Sequence, residues 1–168
     1  MHLIVQPIVL LFNQSVNQGT FPNRLKSAYI VPIFKKGSKT NANNYRPISL
    51  LHIFSKIFEK IMKKHLVQFI ERNNVLSVNQ FGFQKGKGTL EALTKFSTYL
   101  HQNLDSSKYI VSIFVDFSKA FDVVPHDLLL TKLSHYGIRG KMNDWFKDYL
   151  SDRSHQTIID GNISSSIN

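Results

Sequence analysis

The chain has 168 residues, 42% hydrophobic and 19% charged, which suffices for one packed domain and excludes a disordered chain. Its 21 basic and 11 acidic residues give a formal net charge of +10, which points to a polyanionic partner: nucleic acid, a nucleotide or an anionic membrane surface. The absence of cysteine excludes a disulfide framework and any zinc site built on thiolates.

The first 23 residues contain the most apolar stretch of the chain, at 3–12. That stretch is too short to span a bilayer. No lysine or arginine precedes Arg24, so the basic segment that starts a signal peptide is missing. We predict that residues 8–16 belong to a packing helix that Gly19 and Pro22 end. We expect an intracellular protein, and no targeting signal names a compartment.

The basic charge is concentrated in the first half of the chain. Residues 24–72 hold eleven basic and two acidic residues, a net charge of +9, whereas residues 109–168 hold six basic and seven acidic ones, a net charge of −1. This distribution would suit a protein that holds phosphates in one part and a metal ion in another. The alternative for the lysines of 56–64 is a solvated helix face.

The first predicted elements are a strand and a long helix. Residues 28–34 are β-branched and aromatic, and Pro32 predicts that this strand lies at a sheet edge. Residues 35–44 are rich in Gly, Ser, Asn and Lys, which indicates a loop. Apolar residues then recur at helical spacing over residues 50–70, and Asn73 and Asn74 close that predicted helix.

A glycine-punctuated basic loop is predicted at 80–88, followed by a helix from about Thr89 with Leu90, Leu93 and Phe96 on one face. Residues 109–115 (YIVSIFV) are almost continuously apolar, which predicts a strand buried on both faces.

The last part of the chain predicts two short helices and a hairpin. The third helix follows Pro125 and ends at Gly137. The fourth carries its large apolar residues within 142–149 at helical spacing. Residues 155–160 are predicted to form a strand that turns at Gly161 and Asn162.

Asp116 is the candidate for chemistry, because it ends the predicted buried strand. A carboxylate held there could bind Mg²⁺, which takes one or two carboxylates together with phosphate oxygens and water as ligands. The alternative is that Asp116 caps the following helix. For Asp122 we favour a structural role, capping the turn before Pro125.

Four segments taken together resemble one family. They are AYIVPIFKKG at 28–37, NYRPISLL at 44–51, NQFGF at 79–83 and VDFSKAFDVVPH at 115–126. In this order and spacing they resemble the reverse transcriptases of non-long-terminal-repeat (non-LTR) retrotransposons, most closely the jockey-type elements of animals. The resemblance runs from about Phe21 to the end of the sequence.

The resemblance implies an α/β (α+β), helix-rich fold built as a right hand of fingers, palm and thumb. Residues 1–20 would be an N-terminal helical segment and residues 21–108 the fingers and upper palm. Residues 109–168 would be a partial palm with the first catalytic motif, without a thumb. The implied activity is RNA-directed DNA polymerisation, with an RNA template, a DNA primer and deoxynucleoside triphosphates as partners.

By resemblance, Asp116 is the first catalytic carboxylate and a ligand of two Mg²⁺ ions, which sit about 3.5–4 Å apart in two-metal sites. The Phe117 backbone is a further metal and nucleotide contact, and Phe121 is the aromatic steric gate that excludes a 2′-hydroxyl. Lys35 and Arg46 match residues that grip the incoming triphosphate, and Lys36 could replace Lys35.

The resemblance also places a loop along the template strand, with two lysines on its phosphates. These residues are Gln80, Phe81, Gly82, Lys85 and Lys87. Taken singly, the alternatives are that Arg46 pairs with a carboxylate, that Phe121 is a core aromatic residue, and that Gln80 caps a helix.

The sequence departs from the family pattern. It has no Asp-Asp pair and no Pro-Gln-Gly segment, and Gln84 and Gly88 stand where the family often has Arg and Ser. One carboxylate cannot hold two Mg²⁺ ions, so we expect that this chain alone does not polymerise DNA. It resembles a front portion that lacks the C-terminal palm and thumb: a truncated reading frame, a gene-model fragment or a decayed insertion.

Two other functions remain as alternatives. One is a non-enzymatic nucleic-acid-binding remnant. The weaker one takes Asp116 as a phosphotransferase nucleophile, but that chemistry needs a second Asp where Ser118 stands. The resemblance implies that the protein acts in the nucleus at some stage. Whether an endonuclease lies upstream of this sequence is left open.

Overall fold

The computed structural model describes residues 2–167 and shows a mixed α/β chain. Its helices and strands, in chain order, are α1 (His2–Gln18), β1 (Ser27–Phe34), β2 (Tyr45–Leu51), α2 (Ile53–Arg72), α3 (Thr89–Asp105), α4 (His126–His135), α5 (Lys141–Leu150), β3 (Ser154–Ile159) and β4 (Asn162–Ile163). The chain forms two compact units. The first comprises the residues up to His65 together with those from Val124 onward, and the second is Leu66–Val123.

The four strands form one sheet in the order β2-β1-β3-β4, and all belong to the first unit. β1 pairs antiparallel with β2 along its length and parallel with β3 at Ser27–Ile30. The prediction that β1 is an edge strand is therefore wrong for its first half. Pro32 lies beyond the segment that β3 covers, as expected of a residue that has no backbone N–H for a second partner strand.

β2 was not predicted, and the helix expected from residue 50 begins at Ile53. Leu50 and Leu51 belong to β2, where they pair with Tyr29 and Ala28. Two consecutive leucines before a helical repeat fit the start of a helix as well as the end of a strand, so periodicity alone does not decide between them.

The core of the first unit is aromatic. Phe21, Phe58, Met62 and Trp145 are buried, and residues of α1 and α5 pack around them. The partly buried residues of this cluster are Ile8, Phe12, Val16, Leu25, Met142, Phe146 and Tyr149. The predicted packing role of the first helix is confirmed, although α1 begins at His2 and includes Pro7.

Two polar contacts fix α5 inside the first unit. Asp148 accepts hydrogen bonds from the Phe21 backbone N–H at 2.6 Å and from Lys26 Nζ at 3.0 Å. The Trp145 indole Nε1 donates to Ser15 Oγ at 2.9 Å. Both contacts satisfy buried polar groups that would otherwise destabilise the core.

The second unit holds the end of α2, the whole of α3 and two irregular segments, and none of its residues, all described by the structure, is fully buried. The predicted buried strand at 109–115 is wrong: the segment is irregular and exposed, with Ile113 84% accessible. A strand needs a partner ladder, and within residues 2–167 none pairs with this segment. The apolar composition predicts that this segment favours a strand, but it does not tell whether a partner strand is present.

The remaining element predictions are confirmed. α3 begins at Thr89, α4 follows Pro125, and Gly137 has the positive φ of +104° that favours glycine after a helix. α5 lies where predicted, and 80–88 is a loop. The β3–β4 hairpin is present with Gly161 in its turn, but Asn162, also predicted for the turn, begins β4 and pairs with Ile159. Within the described residues, no helix is long and apolar enough to cross a bilayer.

Candidate nucleotide and nucleic-acid site

Lys35 and Arg46 lie at the same end of the β1–β2 hairpin. Arg46 pairs with Ile33, and the Lys35 backbone N–H donates to the Asn44 carbonyl at 2.8 Å, which extends the antiparallel ladder beyond β1. Side chains alternate between the two faces of a ladder, so Lys35 and Arg46 are diagonal neighbours on one face. Both are exposed. The structure therefore places the two residues predicted to bind the triphosphate on the same face of the hairpin end.

Lys36 does not share that ladder position, because it begins the bend after β1. The bend requires Gly37, whose φ is +92° and whose added Cβ would lie 2.7 Å from Asn44 Nδ2. That amide in turn donates to the Ser38 carbonyl at 2.9 Å. Of the two lysines, Lys35 is the one that the register places on the Arg46 face.

Among the described residues, the Lys35 ammonium and the Arg46 guanidinium form no ion pair. No carboxylate of the described residues lies within 4.0 Å of Lys35 or Arg46. The alternative that Arg46 pairs with a carboxylate is therefore wrong within residues 2–167. The two cations remain available to an anion from outside the chain.

Asp116 follows an exposed irregular segment rather than a strand, so the predicted strand-end setting is wrong. The chain then turns, and the turn is closed by the backbone N–H groups of Asp122 and Val123, which donate to the Lys119 carbonyl at 2.9 and 3.3 Å. The capping role favoured for Asp122 is also wrong among the described residues. Its side chain makes no capping bond there, and α4 begins at His126, after Pro125, without a side-chain cap.

Phe121 is 80% exposed, so the alternative of a core aromatic residue is wrong. Its ring meets the Phe83 ring edge-to-face, with centroids 6.0 Å apart and an interplanar angle of 86°. Phe117, next to Asp116, is exposed as well.

The metal-binding potential of this segment is partial. Asp116 offers a carboxylate and Phe117 a backbone carbonyl, whereas Mg²⁺ requires six oxygen ligands in near-ideal octahedral geometry. Over residues 4–167, whose side chains the structure describes, no three His, Asp or Glu side chains cluster in a way that could hold a metal ion. The residues present thus fit part of a Mg²⁺ site that phosphate oxygens, water and further carboxylates would have to complete.

The predicted template loop is braced from within. Gln80 Nε2 donates to the Gly82 carbonyl at 3.2 Å, and Gln84 Nε2 donates to the Gln80 carbonyl at 2.9 Å. The Gln80 side chain therefore stabilises the loop and does not cap a helix. Lys85 is exposed at its tip.

One residue of this region was missed by sequence reasoning. Lys95 of α3 places its Nζ 5.9 Å from the centroid of the Phe81 ring and donates to Asn79 Oδ1 at 2.6 Å. Lys87 Nζ lies 6.0 Å from the same centroid. The helical spacing of α3 predicts which of its apolar residues share a face, and it contains no signal for Lys95.

Similarity to known proteins identifies the family of this chain. The family model described as reverse transcriptase (RNA-dependent DNA polymerase) matches residues 33–167. The chain is 32% identical over 162 residues to the RNA-directed DNA polymerase from mobile element jockey of Drosophila melanogaster, which covers 96% of this chain and 18% of that protein.

Two further relatives from Drosophila melanogaster are the probable RNA-directed DNA polymerases from transposon BS and from transposon X-element. The first is 32% identical over 153 residues, 87% of this chain and 16% of the relative. The second is 36% identical over 127 residues, 75% of this chain and 14% of the relative. The chain thus spans less than a fifth of the length of these relatives. The predicted resemblance is confirmed, and the chain belongs to the reverse transcriptase family.

Proposed function

We propose that this chain is part of the RNA-directed DNA polymerase of a jockey-type non-LTR retrotransposon and forms its fingers and the first part of its palm. The observation that carries the proposal is the family match over residues 33–167, a range that contains Arg46, the 80–88 loop and Asp116. In the complete enzyme the reaction is transfer of a deoxynucleotide to a primer 3′-hydroxyl, directed by an RNA template.

The exposed end of the β1–β2 hairpin would bind the triphosphate of the incoming nucleotide. Arg46 offers a planar fork that fits two phosphate oxygens, and Lys35 adds a compact positive charge on the same face. Their lack of internal carboxylate partners among the described residues supports this role, since both charges are free to meet phosphate.

The segment around Asp116 would supply the first part of the catalytic centre. Asp116 and the Phe117 carbonyl would hold Mg²⁺, which when bound activates the primer hydroxyl and stabilises the leaving pyrophosphate. The exposed ring of Phe121 would lie against the sugar and exclude a 2′-hydroxyl, and the edge-to-face contact with Phe83 limits its freedom to move aside.

The braced loop would lie along the template strand. Gln80, Phe81 and Gly82 would face the strand, while Lys85 and Lys87 would contact its phosphates. The two side-chain hydrogen bonds within the loop support this role, because a fixed loop loses little conformational entropy when it binds.

Binding of a fluorescent deoxynucleoside triphosphate to the 168-residue chain tests the hairpin. Arg46→Gln should weaken binding by about tenfold, the loss typical of a charged hydrogen-bonded contact. Arg24→Gln, at the other end of β1, is the matched control and should bind like the wild-type chain. Equal affinity of both variants would contradict the role of Arg46.

Primer extension tests the catalytic proposal. The chain alone, with an RNA template, a DNA primer, the four deoxynucleotides and Mg²⁺, should give no product, because the given sequence has no Asp-Asp pair to complete the site with Asp116. A longer polypeptide that contains this chain and extends the primer should lose activity on Asp116→Ala. Retained activity in that variant would overturn the assignment of Asp116.

A nucleic-acid-binding module without chemistry is the second candidate. Two observations favour it: the net charge of +9 over residues 24–72, and the lack of a three-residue metal-binding cluster at Asp116 among the described side chains. It predicts salt-sensitive binding of single strands and no extension by any polypeptide that contains the chain.

A further inference from the structure

We propose that Lys95 and Lys87 together form a phosphate-binding site for a single nucleic-acid strand, organised by the ring of Phe81. This inference rests on the proposed template-binding role of the 80–87 loop and extends it to a residue of α3. The ligand is the phosphodiester backbone, so the site would grip a strand without reading its bases.

The Phe81 ring lies near two ammonium groups from different elements, Lys87 of the loop and Lys95 of α3. Lys87 Nζ and Lys95 Nζ lie 6.0 and 5.9 Å from its centroid, so they are no more than about 12 Å apart. The attraction of each cation to the ring offsets part of their mutual repulsion. A bound phosphate would offset more of this repulsion, so the cluster favours an anion as its ligand.

Both ammonium groups keep donors for an incoming phosphate. Lys95 uses one of its three N–H donors on Asn79 Oδ1, at 2.6 Å, which leaves two. Among residues 4–167, whose side chains the structure describes, Lys87 Nζ donates no hydrogen bond. In that part of the chain neither lysine has a carboxylate within 4.0 Å, so neither charge is neutralised internally.

The cluster is held in place from two sides. Lys95 stands on α3, a helix of 17 residues, and its bond to Asn79 ties the helix to the residue that precedes the loop. The loop itself is fixed by the Gln80 and Gln84 side chains. A site with both cations already positioned loses less entropy on binding than two free surface lysines would.

The salt dependence of RNA binding by the full 168-residue chain tests the site. The probe is a fluorescein-labelled single-stranded oligouridylate, titrated by anisotropy at several KCl concentrations. Each phosphate contact on a single strand contributes about −0.7 to the slope of log K against log salt. Lys95→Gln and Lys87→Gln should each make the slope shallower by about 0.7 and lower the affinity several-fold.

Two controls make the result specific. Lys108→Gln removes an exposed lysine of the same unit that has no described ring contact, and it should leave the slope unchanged. Lys95→Arg keeps the charge and should keep the slope, which separates loss of a phosphate contact from damage to α3. Circular dichroism confirms that each variant retains the helix content of the wild-type chain.

The outcomes separate this inference from the proposed function. If Lys87→Gln flattens the slope and Lys95→Gln does not, Lys95 is outside the site and the inference is wrong while the loop proposal stands. If Lys108→Gln has the same effect as Lys95→Gln, binding follows overall charge and the site is refuted. If the wild-type chain does not bind the oligonucleotide, the template-binding role itself fails.

Discussion

The indole Nε1 of Trp145 donates a hydrogen bond of 2.9 Å to Ser15 Oγ, and this bond joins α5 to α1 within the core. α1 precedes residue 33, where the match to the family begins, yet it covers the core with Ile8, Phe12 and Val16. The N-terminal helix is therefore a structural part of the first unit.

Ser15→Ala should destabilise the first unit by about 1–3 kcal/mol, because it leaves the buried indole N–H of Trp145 without an acceptor. Guanidinium unfolding followed by the fluorescence of Trp145, the single tryptophan, measures the change. Leu10→Ala, on the same helix but at a side chain that is 69% exposed, is the control and should cost much less. Equal losses for the two variants would contradict the role of the hydrogen bond.

Asp148→Ala should be more damaging, with a loss of about 3–5 kcal/mol. Asp148 is the partner of both the Phe21 backbone N–H and Lys26, and Lys26 is only 4% exposed. Its removal leaves a buried ammonium and a buried N–H unpaired.

Lys26→Met is the matched comparison for the same site. It removes the ammonium but keeps the aliphatic chain, so its cost should be smaller than that of Asp148→Ala. Unfolding free energies of both single variants and the double variant measure the coupling. A larger loss for Lys26→Met than for Asp148→Ala would refute the account.

Because of Tyr149, the stability of the first unit should fall as the pH rises through the alkaline range. Burial, followed by the charge of Glu59 and the hydrogen bond to it, raises the pKa of Tyr149 from 10.0 to about 12. The folded state keeps the phenol proton at a pH where the unfolded chain has lost it. The stabilisation of the folded state by protonated Tyr149 is therefore complete below pH 10, and it is lost as the pH rises from about 10 to about 12.

Unfolding free energies at intervals across that pH range measure this effect, and an absorbance titration of tyrosinate gives the pKa. The Tyr149→Phe variant should lack the late phase, which amounts to one of six tyrosines, and should show a shallower loss of stability. An unchanged titration curve in the variant would show that another group is responsible.

Local signals predicted most helices but not the pairing of the strands. Pro125 and Gly137 bound α4, and the repeat around Trp145 gives α5 a buried face, because these signals act within a few residues. The partners of β1 depend on contacts between Ser27 and Ser154, far apart in the chain. Lys95 was missed for the same reason, since its role depends on Asn79 and Phe81 of a separate segment.

Residues 109–115 should exchange their amide hydrogens rapidly in the isolated chain. Among residues 2–167, no backbone N–H of this segment donates a hydrogen bond, and the side chains of Ile113 and Phe114 are exposed. The amides of α5, in contrast, are protected by helical hydrogen bonds and by the burial of Trp145. Hydrogen exchange followed by mass spectrometry compares the two segments in one sample. Protection at 109–115 equal to that of α5 would mean that this apolar run pairs with a strand after all, as its composition alone predicts.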